Sequence, residues 1–212
     1  MPLSVLTWSE VKSIYDDRVA VHRKLLNLHR AGVSKTFAEL ALGISDPTGN
    51  YSAAEHNLGP QIMRENGRAQ NRVHALAGDL KDVQRGTDAP PIIYGAGLSK
   101  LKIGVGSELS CMMNPEVCWV ANTRTIWTHL VFKHRGNIKR ANEELALYRN
   151  EDETSEMAYN KWRAIHRELA GSLPNIAADG ARKAKAARVR AGAIVYIWAD
   201  AICTSLYSHH NE

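Results

Sequence analysis

Cysteine is scarce in this chain. Only Cys111, Cys118 and Cys203 occur in 212 residues, all in apolar settings, which excludes a disulfide framework and points to a reducing, cytoplasmic location. Long hydrophobic runs are missing too. The most apolar segment, 191–207, is interrupted by Gly192, Asp200 and Thr204, so it reads as a core helix and not a membrane span. The opening residues MPLSVLTWSEVKS turn polar within ten positions, and no secretory leader is expected. Strand signals are nearly absent: no turn dipeptide joins alternating runs, and Ile92-Ile93-Tyr94 is the one β-leaning piece mid-chain. No repeat period stands out.

Several chemistries lack their motifs. Gly95-x-Gly97 and Gly104-x-Gly106 are followed neither by the further glycine of a dinucleotide loop nor by a P-loop Gly-Lys-Ser/Thr. No Gly-x-Ser-x-Gly marks a serine hydrolase elbow. Cys111, Cys118, His129 and His134 carry zinc-binding atoms, but their cysteines are spaced too widely for a finger. No cofactor and no metal are therefore expected.

What remains is an ordinary folded composition, 44% hydrophobic and 23% charged, with 27 Lys and Arg against 22 Asp and Glu. The surplus of +5 fits a polyanionic partner and equally fits an unpartnered basic surface. Apolar spacing predicts helices over 9–30, ended by Gly32, and from Ser34 or Thr36 to Gly43, then a surface loop at 45–52. Residues 53–83 read as helix broken near Gly59-Pro60, and 85–92, with Pro90-Pro91, as a second loop. Further on, His134-Arg135-Gly136 ends one helix and Asn137 caps the next. An acidic loop, 150–156, precedes a helix over 157–170, the segment GSLPN breaks the chain, and a last long helix covers about 176–208, basic first and apolar after. The expected fold is all-α, a single compact multi-helix domain over 1–212.

The chain is organised around 94–130. Here Gly104-Val105-Gly106 reads as a turn between helices at 97–103 and 107–113, with Ser107 as N-cap and Glu108 in the positive first turn. Such a helix start is an anion site, and in a basic chain the anion is a phosphodiester. Lys100, Lys102, Gly104, Gly106, Ser107, Arg124 and Arg188 are the candidate DNA-backbone contacts, with further cations at Arg182, Lys183, Lys185 and Arg190. Tyr94, Trp119 and Trp127 are the candidate aromatic walls for a base. The last two bracket Asn122, whose amide can hydrogen-bond a base or orient a water. As core side chains and a helix N-cap these residues need no ligand.

The segment from Lys102 to Leu130 resembles the core of the helix-hairpin-helix DNA glycosylases, with Gly104-Val105-Gly106 as the hairpin, Pro115 in the loop and Val120-Ala121-Asn122-Thr123-Arg124 as the final block. The likeness covers about thirty of 212 residues. It implies a helix-hairpin-helix element and excision of a base from DNA. Two departures refine it. Asn122 stands where the family has its catalytic aspartate, 16 positions after Gly106 and so several residues nearer the hairpin than in the family, and the charge must come from elsewhere. Glu108 is the nearest candidate, with Glu55, Asp16 and Asp17 more remote. Ser107-Glu108 also stands where lyase-competent members carry lysine, implying a monofunctional enzyme that leaves an abasic site. A mostly helical glycosylase without the usual acid is similar in class to bacterial proteins that excise modified bases from phage DNA. The alternative is a DNA-binding module without catalysis.

Overall fold

The computed structural model describes residues 2–148 and 156–211. Every regular element among them is helical, as the chain's lack of strand signals requires. The chain divides into two compact units, Asp17–Asn122 and the paired terminal segments Met1–Asp16 and Thr123–Glu212.

The central unit holds the second half of α1 (Trp8–Arg30), then α2 (Ser34–Ala41), α3 (Tyr51–Glu55), α4 (Leu58–Glu65), α5 (Ala69–Lys81), α6 (Ala89–Gly95) and α7 (Ile103–Met113). Its core gathers Leu25, Phe37, Leu40, Ile62, Val73, Leu80 and Ile93 around α7, of which every residue except Gly104 is buried. Helices α1 and α2 end where Gly32 (φ 68°) and Gly43 (φ 66°) take left-handed backbone, as the sequence predicts. The break in 53–83 comes at His56-Asn57 and at 66–68, while Gly59-Pro60 lies in the first turn of α4, where proline's missing N–H costs no hydrogen bond.

Three expectations are corrected in this unit. Residues 97–103 form a loop, not a helix, with Gly97 (φ 61°) and Lys100 (φ 64°) both left-handed. Gly104-Val105-Gly106 is no hairpin turn but the first turns of α7, where the Gly106 N–H donates to the Lys102 carbonyl at 2.7 Å. Burial decides this: α7 packs on α6 so closely that a Cβ on Gly106 would stand 2.5 Å from Ile93 Cγ2. The segment 85–92 is a 3-10 turn followed by α6, with Pro90 and Pro91 inside its start.

The terminal unit contains a short 3-10 turn (Pro2–Val5), the first half of α1, α8 (Thr123–Lys133), α9 (Ile138–Ala146), α10 (Glu156–Ala186) and α11 (Val195–Asn211). Trp198 of α11 sits at its centre, with the rings of Trp8 and Tyr15 at 6.1 and 5.7 Å. Asn137 caps α9 as predicted, its side chain accepting from Arg140 N. Residues 150–155 of the acidic segment lie outside the described residues. The break at GSLPN is corrected: α10 runs through Pro174, because burial of Leu169, Leu173, Ile176 and Ala177 outweighs one lost backbone bond. The true interruption is 187–194, inside the expected 176–208 helix. Arg188 (φ 60°) ends α10 there, and the Tyr15 hydroxyl accepts from Ala193 N and Ile194 N, satisfying donors ahead of α11.

Candidate functional site

Glu108 is fully buried midway along α7. A carboxylate there must find donors, and short α3 brings most of them. Asn50 fixes α3 in place: its amide donates to the Ala41 carbonyl at 3.2 Å and to the Val105 carbonyl at 3.0 Å, while its Oδ1 caps Ala53 N. The α3 start then points two N–H groups inward. Tyr51 N donates to Glu108 Oε2 at 2.8 Å, and Ser52 N and Oγ donate to Oε1 at 2.9 and 2.6 Å. Arg18, equally buried, reaches Oε2 from α1 at 3.4 Å and donates to the Thr48 carbonyl at 2.6 Å. The Tyr51 ring lies over its guanidinium, 4.8 Å from carbon to centroid.

Asn122 completes the set. Its Nδ2 donates to Glu108 Oε1 at 3.0 Å, and only 3% of its surface is exposed. A second tie fixes the spacing, for Ser107 Oγ accepts from Ala121 N at 2.8 Å and donates to the Gly104 carbonyl. Neighbouring residues on α7 thus hold neighbouring residues before α8. Ser107 is a buried mid-helix residue and not an N-cap, because the helix starts at Ile103. Gly104 and Gly106 do not take the expected left-handed backbone, because they lie in the first turns of α7.

The remaining predicted residues fall in both units. Trp119 is buried, its ring filling the space a Cβ on Gly86 would need. Trp127 belongs to the terminal unit, fully buried, its Nε1 donating to Asn142 Oδ1 at 2.7 Å and its ring edge-on to Tyr207. Tyr94 is the exposed aromatic, at 45%. Lys100 is exposed and Lys102 half-exposed before α7; Arg124 is half-buried in the first turn of α8; Arg188 is exposed at the end of α10. Of the basic run after Asp179, Arg182 pairs with Asp179 at 3.1 Å, and Lys185 and Arg190 are exposed.

Sequence reasoning passed over Arg18, Asn50, Tyr51 and Ser52. A signal for Arg18 was present, because it falls in register with buried Val11, Tyr15 and Leu25 on α1, and a cation on an apolar stripe demands a buried partner. Among the described residues no group of three or more His, Cys, Asp or Glu is placed to hold a metal ion. Burial raises the Cys118 thiol to about 11, and burial followed by the charge of Asp200 raises Cys203 further. Neither thiol is disposed toward nucleophilic chemistry.

Compared with known proteins, the chain matches no family model, no curated protein and no solved structure.

Proposed function

We propose that the protein is a monofunctional DNA glycosylase, with Asn122 facing the base and Glu108 holding Asn122. The observation that supports this is the 3.0 Å hydrogen bond from Asn122 Nδ2 to the buried Glu108 carboxylate. That bond fixes the orientation of the amide beside the carboxylate. A charged acceptor behind the amide polarises it, and the effect is strong where water is excluded. In the reaction the C1′–N bond breaks with its electron pair leaving on the base, C1′ becomes cationic, and water adds there with loss of a proton. Asn122 orients the base or that water. Glu108 touches no substrate in this scheme and is a positioning residue. Entry of a base requires the loop 114–122 to move, because Asn122 is almost closed to solvent.

A second reading is favoured by that same closure. Glu108 accepts from Arg18, Tyr51, Ser52 and Asn122 on both oxygens, which suits a structural anchor in a DNA-binding module with no chemistry of its own. Incubation with DNAs carrying different base modifications, followed by hot alkali, separates the two. The enzyme leaves alkali-labile sites in at least one of them and Asn122→Ala does not. A binding module leaves none.

A further inference from the structure

Among the described residues, five other than glycine adopt left-handed backbone, and four are cations: Arg68 (φ 55°), Lys100 (φ 64°), Arg135 (φ 53°) and Arg188 (φ 60°). Glycine or asparagine occupies such positions with least strain, so a long cationic side chain there is held against its backbone preference. Strain of this kind gathers at functional sites. Two of the four, Arg68 and Lys100, belong to the central unit and stand on loops that are laced together. Asn66 Oδ1 accepts from Ser99 N at 2.8 Å, and Asn66 Nδ2 donates back to the Ser99 carbonyl at 3.2 Å. Arg72 Nη2 donates to the carbonyls of Ala96 and Gly97 at 2.8 and 3.3 Å. These bonds keep the Cα atoms of Arg68 and Lys100 within about 20 Å of each other by chain reach alone.

We propose that this laced pair of loops is a docking surface for the phosphodiester backbone of DNA, with Arg68 and Lys100 as its principal contacts and Arg64 and Lys102 beside them. Arg64, Arg68 and Lys100 are exposed and Lys102 is half-exposed. None of the four has a carboxylate partner among the described residues. The carboxylate of the patch, Glu65, is engaged by Ser99 Oγ at 3.0 Å. Exposed Tyr94, in the last turn of α6 ahead of that loop, offers a ring to an unstacked base. In place of the glycine turn expected from the sequence, side-chain cations on two laced loops hold the phosphates.

This inference rests on the reading that the protein acts on DNA, but it is tested by binding alone. Fluorescence anisotropy with a labelled duplex and with the matching single strand, across a salt series, compares the wild type with Arg68→Gly/Lys100→Gly. Glycine removes the charges while relaxing both backbones, so Tm does not fall. The affinity drops at least tenfold, and the slope of log K against log salt shrinks by about two on duplex. The control Lys139→Gln/Arg140→Gln, exposed on α9 of the terminal unit, leaves both unchanged. A glycine variant that binds like wild type overturns the inference while leaving a DNA-acting protein, and so does a control that weakens binding equally. Absence of wild-type binding to either probe overturns the inference and the proposed function together. Binding with normal Arg68 and Lys100 dependence but no excision in any DNA overturns the glycosylase reading alone.

Discussion

A carboxylate with no exposed surface survives in a helix only if other elements supply its hydrogen bonds, and for Glu108 the suppliers are Arg18, Tyr51, Ser52 and Asn122. Glu108→Gln puts N–H groups where donors already point and leaves Arg18 without its counter-charge. The expected cost is about 3 kcal/mol, seen as a lowered urea midpoint at unchanged m, so loss of activity in this variant reports folding as well as chemistry. Asn122→Ala is the cleaner probe. It removes one donor of several and costs about 1 kcal/mol, while removing the amide that the proposed reaction uses. The thiols give an independent check of burial. Cys111, Cys118 and Cys203 are all buried, so iodoacetamide labels them only at the rate of unfolding, and fast labelling of the native protein contradicts the packing described.

At the scale of the helix, α7 carries the sharpest contrast between sequence and structure. A pair of glycines around one valine suggests a turn, yet the side-chain positions from Ile103 to Met113 are so thoroughly buried that packing overrides glycine's low helix propensity. The two glycines then have different fates on substitution. Gly104→Ala meets nothing within 4 Å and raises stability by about 0.5 kcal/mol. Gly106→Ala drives a methyl into Ile93 and costs about 1–3 kcal/mol. Thermal denaturation of the pair checks this, and equal damage at both positions would restore the hairpin. Local signals with a local cause were legible: the glycine stops of α1 and α2, the Asn137 cap, the all-helical class. Signals whose outcome depends on a distant partner were not. Pro174 is carried through α10 by the apolar stripe beneath it, and Arg188, not a glycine, ends that helix. Glu108 and Asn122 could be named from their chemistry, but their contact depends on Asn50 and Ser107, which hold α3 and residue 121 in place.

For the molecule as a whole, buried His166 and half-buried His29 make stability fall in acid. Burial pushes His166 of α10 down to about 4 from an ordinary 6.5. Burial, then the neighbouring His74 stacked at 4.2 Å, lowers His29. Below pH 6.5 the unfolded chain takes up these protons before the folded one does, so the stability they contribute is complete above pH 6.5 and is lost as pH falls below it, for His166 toward 4. For His166 the loss is on the order of 3 kcal/mol, and urea titrations at pH 7.5 and 4.5 read it, with His166→Gln flattening the difference. On the proposed reading DNA affinity falls steeply with salt, but affinity alone does not distinguish an enzyme from a clamp. The decisive measurement is the release of free base from a panel of modified DNAs, followed by mass spectrometry, with wild type and Asn122→Ala side by side. The account predicts one released modified base, an abasic site left in the strand, and none of either from the folded Asn122→Ala protein. Release by that variant at the wild-type rate, or no release from any DNA at high enzyme, contradicts it.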